Sequence, residues 1–411
     1  MTQSNVSAPE SGMEAKLPRR DWILLPLLSL ATIGILAGST ELISRRVFSE
    51  LRTLNRCLML DDSTVGVRGI PNSVCWEKAQ ESELIEYRFD GCGYRSNTAC
   101  GPKAPGRYRI VMIGSSFAMG TMVPIDRTFT ALLPAELSQK SANKVEVYSE
   151  GLADGFTRSV DLRFKDVLAA NPDLVLWVMT PVDVQLAAVS SVKAQEAHPD
   201  IAESNRRSQE WASAKGWMKE VISRHTGAIE SGFMLRHFLY EHESQSQYIH
   251  LYLMRTGGDE PHPVGIDGDA NFLRAELSPE WRAHLKEFNG YTAEICNKAK
   301  NAGVPIIGVL VPNRAQAAMI SMGEWPPGYD PYKLDNELRA IITSHGGTYI
   351  DILPYFHKIP NPEKGYFPVD GHLNAKGYAM IADMLSYEFT SGAIPALKAA
   401  KQPLSKLAQE R

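Results

Sequence analysis

The stretch RIVMIGSSFAMG, Arg109–Gly120, decides how this chain folds. It reads as a buried strand that stops at Gly114 and turns abruptly into Ser115 and Ser116. A small hydroxyl residue at a strand tip has two uses. It can cap the turn that follows, or it can sit near backbone N–H groups that stabilise an alkoxide or a tetrahedral oxyanion. The second use needs a base and an oxyanion site from elsewhere in the chain, and so a fold that collects them.

Downstream, strand and helix signals alternate. KVEVYSEG (Lys144–Gly151) and PDLVLWVMT (Pro172–Thr180) read as the second and third strands, and VPIIGVLVP (Val304–Pro312) and TYIDILP (Thr348–Pro354) as the fourth and fifth. The third is nearly continuous in apolar residues, as expected of a strand covered on both faces. TFTALLPAELSQK (Thr128–Lys140), SVDLRFKDVLAA (Ser159–Ala170), YKLDNELRAIITSHG and AKGYAMIADMLSYEF (Ala375–Phe389) read as helices. Short strands with crossover helices predict an α/β fold, a three-layer α/β/α sandwich with a five-stranded, mainly parallel sheet over residues 106–389. Polar, helix-like stretches break the pattern over 186–285. They read as a helical insertion, serving as a lid or a partner surface.

The chain has 411 residues, 44% hydrophobic and 22% charged, with a formal net charge of −4. That balance gives no global electrostatic case for a nucleic-acid partner. Residues 1–21 are a polar tail. WILLPLLSLATIGILAGS, Trp22–Ser39, carries no charge and lies between Asp21 and Glu41. Its length approaches that needed to span a hydrocarbon core, and Trp22 suits an interface. Residues 22–42 are therefore expected to be a transmembrane anchor. A cleaved signal peptide, leaving a secreted body, is the alternative. Lys16, Arg19 and Arg20 precede the apolar run and Arg45, Arg46, Arg52 and Arg56 follow it, so charge does not favour an outside C-terminus.

The cysteines point the other way. Cys57, Cys75, Cys92 and Cys100 cluster in a lead-in segment, residues 43–105, expected to be irregular and stapled. An even cluster suggests two disulfides, with three pairings open, and an oxidising compartment. Uneven spacing without a close C-x-x-C pair argues against zinc. Cys296 falls in a helical pattern and reads as a buried free thiol. The expectation is a single-pass inner-membrane protein with its body in the periplasm. Residues 390–411 form a polar, basic tail.

Strand C-terminal ends are where such sheets place their sites. The first end offers Ser115 and Ser116. The second, SEGLADGFTRS, offers Gly151 and Gly155, whose N–H could meet an oxyanion. The third, MTPVDVQ, offers the Thr180 hydroxyl and Asp183, which serves either as an auxiliary charge or as a helix cap. Near the C-terminus, FPVDGHLNAKGY supplies Asp370 and His372 ahead of a helix. A histidine there can reach a serine from an early strand, with the aspartate fixing its tautomer. The other histidines show no metal-ligand spacing, and no metal or cofactor is expected.

IVMIGSSFAMG together with FPVDGHLNAKGY resembles the SGNH (GDSL-like) hydrolase superfamily, and YRFDGCGYRS (Tyr87–Ser96) resembles the lead-in of its membrane-attached or exported members. The resemblance covers roughly residues 85–185 and 290–388. It implies Ser116 as nucleophile, Asp370 and His372 as the acid–histidine pair, and Ser116 and Gly155 as oxyanion N–H donors. Two departures stand out. Ser115 replaces the family's aspartate. The third block, usually Gly-x-Asn-Asp, is Thr180-Pro181-Val182-Asp183, so Val182 stands where the oxyanion asparagine is expected. Losing one such donor typically costs about 2.7–4 kcal/mol, so either Thr180 or a residue of the insertion substitutes, or the activity is weak, altered or absent.

The resemblance implies an esterase or O-acyl (acetyl) transferase acting on an extracytoplasmic carbohydrate or related small ester. The insertion aromatics Trp211, Trp217, Phe238, Tyr240 and Tyr248 are either sugar-stacking platforms or, more simply, a helix core. The competing reading is a non-catalytic carbohydrate-binding or assembly module with envelope-protein partners.

Overall fold

A computed structural model describes residues 18, 20–51, 53–61, 66–188, 230–256 and 270–398. The N-terminal tail before residue 18, Trp211, Trp217, most of the expected insertion and the end of the C-terminal tail lie outside the described residues.

The apolar run at the N-terminus forms helix α1, Asp21–Val47. Among the described residues it is the one helix long and apolar enough to cross a membrane, with a mean hydropathy of 1.9. Its apolar side chains point outward, Trp22 being 70% exposed. Only its far end meets the body. Ser44 is buried, and Phe48, the residue after the helix, packs on Phe233 at 5.3 Å between ring centroids.

The lead-in segment is more ordered than its sequence suggests. Strands β1 (Leu58–Asp61) and β2 (Gly66–Gly69) pair antiparallel, as do β3 (Val74–Glu77) and β4 (Ile85–Arg88). The expectation of irregular chain is corrected here. Strands this short show no legible alternation, and their pairing is set by burial against the body. Cys57 and Cys75 form a disulfide across a separation of 18 residues. Cys92 and Cys100 are unbonded, yet their sulfurs lie within 4.8 Å of one another beside an Asp90 carboxylate oxygen. Cys296 is buried, and burial pushes its thiol up to about 11.

The body is built on β5 (Arg107–Gly114), β6 (Lys144–Ser149), β7 (Leu174–Met179), β8 (Ile306–Leu310) and β9 (Thr348–Ile350). They form one sheet in the order β6-β5-β7-β8-β9, with every neighbouring pair parallel. Every residue of β7 is buried, as its unbroken apolar sequence requires of a central strand. The short helix α2 (Ser116–Met119) follows β5, α3 (Phe129–Lys140) links β5 to β6, and α4 (Thr157–Ala169) links β6 to β7. After β7 come α5 (Pro181–Gln185), α6 (Glu230–His242), α7 (Gln245–Thr256) and α8 (Pro279–Asn301). Helices α9 (Arg314–Met322) and α10 (Lys333–Ser344) lie between β8 and β9, and α11 (Ala375–Glu388) closes the body.

Helix α3 packs on α11, while α4 packs on α8 and α8 on α10. Trp177 of β7 stacks on Phe288 of α8 at 5.4 Å. This is the three-layer α/β/α arrangement expected from the sequence. The strand order has a consequence for function. From β5 the chain steps one way to β6, then crosses back to place β7 on the other side. The point of reversal lies between β5 and β7, and a crevice opens outside the carboxyl ends of the strands at such a point.

Opening the Cys57–Cys75 bridge should release a constrained loop in the unfolded chain. Cys57→Ser is expected to lower stability by about 3 kcal/mol in denaturant unfolding. Peptide mapping without reductant should recover Cys57 and Cys75 on one linked fragment.

Candidate active site

The site begins with a glycine that no other residue can replace without movement. Gly114 ends β5 at φ 144°, and a Cβ there would lie 2.3 Å from the Val178 carbonyl of β7. The chain turns at this close approach, so Ser115 becomes the N-cap of α2 and Ser116 its first residue. Ser115 is buried and Ser116 half-buried. On the other side Gly151 lies where a Cβ would meet Ala118 and the Met119 nitrogen at 2.5–2.6 Å. The loop after β6 is thereby pressed directly against α2.

The tips of β5 and β7 are joined by Asp183. One of its carboxylate oxygens accepts the Thr180 N–H at 2.8 Å and the Thr180 hydroxyl at 2.7 Å, and the Ser115 side chain hydrogen-bonds to the same carboxylate. Asp183 is 1% exposed, and burial pushes its carboxyl up to about 6 against the opposing pull of these hydrogen bonds. It sits at the third position of α5 within a capping box begun by Thr180, so the helix-cap reading of its sequence holds.

Asp370 and His372 are brought together in the loop before α11. His372 Nδ1 lies 2.5 Å from an Asp370 carboxylate oxygen, and that oxygen also accepts the His372 backbone N–H at 3.1 Å. The imidazole stacks on Phe117, the residue after Ser116, at 5.4 Å and 30°. Its Nε2 is buried and has no hydrogen-bond partner. Among the described residues the Ser116 hydroxyl makes no hydrogen bond and its N–H has no backbone acceptor. The loop is tied back to the Ser115–Ser116 turn by α11, where the Tyr378 hydroxyl donates to the Phe117 carbonyl at 3.0 Å. Asn374 caps α11, its side chain accepting the Lys376 and Gly377 N–H groups.

Two of the expected oxyanion donors are hydrogen-bonded within the chain. The Gly155 N–H donates to the Leu152 carbonyl at 3.0 Å, closing a tight turn in which Asp154 takes φ 58°. The Thr180 hydroxyl donates to Asp183. Val182 contributes no side-chain donor and packs in a small apolar cluster with Phe156 and Leu186. Of the named donors, the Ser116 N–H alone is left without an acceptor.

Other residues that support the site carried no signal in the sequence. Arg95 of the lead-in segment is 1% exposed and donates to the carbonyls of Met119 (3.2 Å), Gly120 (2.5 Å) and Val123 (2.9 Å), just beyond α2. Arg314 of α9 donates to the Pro368 carbonyl at 2.7 Å and to the Tyr240 carbonyl at 2.6 Å, and lies 4.0 Å over the Tyr248 ring. Tyr248 is therefore a core residue, as the simpler reading expects, whereas Phe238 is exposed. A lone arginine in a loop looks like surface charge until its carbonyl partners are known.

No family profile and no curated protein sequence matches the chain. Solved structures do match. A lipase/acylhydrolase from Enterococcus faecalis matches at 11% identity and TM-score 0.35, over 69% of this chain and 95% of that one. An acetyl xylan esterase, AlAXEase, matches at 14% and 0.36, over 67% and 97%. A psychrotrophic esterase, EstA from Pseudoalteromonas sp., matches at 9% and 0.33, over 67% and 93%. At TM-scores below 0.5 these likenesses carry no argument, and the fold stands on the chain's own strand order.

The raised Asp183 value has a definite sign. An unfolded aspartate titrates near 3.9, so the folded chain holds this proton more tightly. Its stabilising effect is complete below that value and is lost as pH rises through about 6. Unfolding free energies measured between pH 4 and 7 should therefore fall for wild type relative to Asp183→Asn. Parallel curves for the two proteins would contradict it.

Proposed function

We propose that the chain is a serine-dependent acyl-transfer enzyme with Ser116 as nucleophile, His372 as general base and Asp370 as its orienter. The carrying observation is the state of His372. Asp370 holds Nδ1, which leaves the buried Nε2 without a partner on a ring stacked against the residue after Ser116. That is the tautomer and orientation a base needs when the serine arrives from a neighbouring turn. Apo sites often hold such pairs slightly apart, with the hydrogen bond tightening once substrate is bound.

In the proposed reaction, neutral His372 takes the Ser116 hydroxyl proton through Nε2. Ser116 Oγ attacks an ester carbonyl, and the Ser116 N–H meets the developing oxyanion. The protonated histidine then returns its proton to the leaving alkoxide. Water or a second hydroxyl accepts the acyl group in the reverse sequence, giving hydrolysis or transfer. Asp183 acts at a remove, holding Ser115 and Thr180 so that the turn before Ser116 is fixed.

For the substrate, an ester on an extracytoplasmic carbohydrate or a related small ester fits a body tethered by one apolar helix outside the reducing cytoplasm. The anchor, the Cys57–Cys75 disulfide and the close approach of Cys92 to Cys100 support that placement. In the oxidised protein Cys92 and Cys100 form the second bridge. Envelope proteins are the natural partners of the segment between β7 and β8.

One observation favours a second reading, a non-catalytic carbohydrate-binding or assembly module. The Gly155 and Thr180 donors are engaged elsewhere, and Val182 offers no side-chain donor. A fluorophosphonate probe separates the readings. The full chain in detergent should gain one adduct by intact mass, on Ser116. Ser116→Ala should abolish it, and His372→Ala and Asp370→Asn should slow it by about 10²–10⁴-fold. A folded wild type that takes no label would overturn the enzyme reading in favour of the binding module.

A further inference from the structure

A buried carboxylate from the lead-in segment bonds directly to the acid–histidine loop. Glu81 lies between β3 and β4, and its side chain is 1% exposed. One carboxylate oxygen accepts the Val369 N–H at 3.0 Å. The other accepts the Val369 N–H at 3.1 Å and the Asp370 N–H at 2.8 Å. The first oxygen also lies 2.7 Å from Nδ1 of His237 in α6. A carboxylate this buried persists only when its oxygens are well supplied with donors, and here the donors come from two separate parts of the fold. Two come from the peptide groups that lead into Asp370. The third comes from a helix beside the anchor, for the His237 ring packs on Phe48 at 5.3 Å.

We propose that Glu81 is the positioning residue of the Asp370–His372 loop, with His237 as its counter-group, so that α6 and the loop are set by one carboxylate. The inference rests on the reading of Ser116 and His372 as catalytic and adds how their geometry is maintained. The chain of contacts is short. Glu81 fixes the Asp370 peptide, the Asp370 carboxylate fixes both nitrogens it touches in His372, and the ring's Nε2 is thereby aimed. Charge-assisted bonds to backbone N–H groups are stronger than neutral ones. They suit a loop that carries Gly365 and Gly371, whose backbones have wide conformational freedom of their own.

The test uses the full-length protein in detergent, with two readouts. One is the fluorophosphonate reaction of Ser116, resolved into a maximal rate and a half-saturating probe concentration. The other is amide hydrogen exchange of peptides covering Val369 and Asp370. In Glu81→Ala the maximal rate should fall by about 10–100-fold, the scale of a misplacement near 1 Å, while half-saturation stays unchanged. Exchange at Val369 and Asp370 should accelerate by about tenfold or more on loss of hydrogen bonds to a charged acceptor. Glu81→Gln keeps one acceptor oxygen and should recover part of both. His237→Gln should show the same changes at smaller amplitude.

Unchanged rate and exchange in Glu81→Gln and His237→Gln would overturn the proposal, even if Glu81→Ala failed to fold. A general loss of protection across the body, rather than one confined to the loop, would also overturn it in favour of a merely structural role. Should wild-type Ser116 take no label, the catalytic reading falls by itself. The exchange data would then decide, independently, whether Glu81 holds the loop.

Discussion

The parallel pairing of β5 with β7 is the constraint on which the rest of the structure depends. Gly114 stands opposite Val178 in that register, close enough that no side chain fits between them. The contact ends β5, starts α2 and places Ser116 beside the start of α5. Because β6 lies on the far side of β5, the strand order reverses between β5 and β7, the place where an open α/β sheet leaves room for a site. Every other part of the candidate site is brought to this point by a longer connection.

The hydrophobic core and the buried polar groups have different roles here. Continuous apolar strands and the faces of α3, α4, α8 and α11 drive the collapse. They do not by themselves fix a loop to a fraction of an ångström. Arg95, Arg314, Asp183 and Glu81 do that, each buried and each bonded to backbone groups next to the site. An unpaired charge in such surroundings is costly, so each of these bonds also specifies where its segment must lie. The lead-in segment is thus part of the site's support and not only a spacer after α1.

The crevice combines a well-prepared acid–histidine pair with sparse provision for an oxyanion. Val182 packs against Phe156 and Leu186 where the resemblance implies an asparagine, and neighbouring donors are turned to structural tasks. Oxyanion donors act by being preorganised where charge develops. On the proposed reading, the Ser116 N–H is the implied donor left without a backbone acceptor.

Much was determined by the sequence alone. Continuous apolar runs bounded by glycine and proline marked all five body strands, helical spacing marked the crossovers, and the length of the uncharged run marked α1. Ser116, Asp370 and His372 were legible as candidates, because each stands in a short local pattern beside a strand end or helix start. The hairpins of the lead-in segment were not legible, since four-residue strands show too little periodicity. Nor was the fate of Gly155 and Thr180, because a backbone N–H or a hydroxyl is claimed by whichever acceptor the turn geometry supplies. Glu81 and Arg95 were invisible for a related reason. A single charged residue in a loop reads as surface until tertiary structure brings distant backbone groups to it, as residues 369 and 370 are brought to residue 81. Local pattern fixes elements and their tips, and only the packed chain decides which polar groups meet.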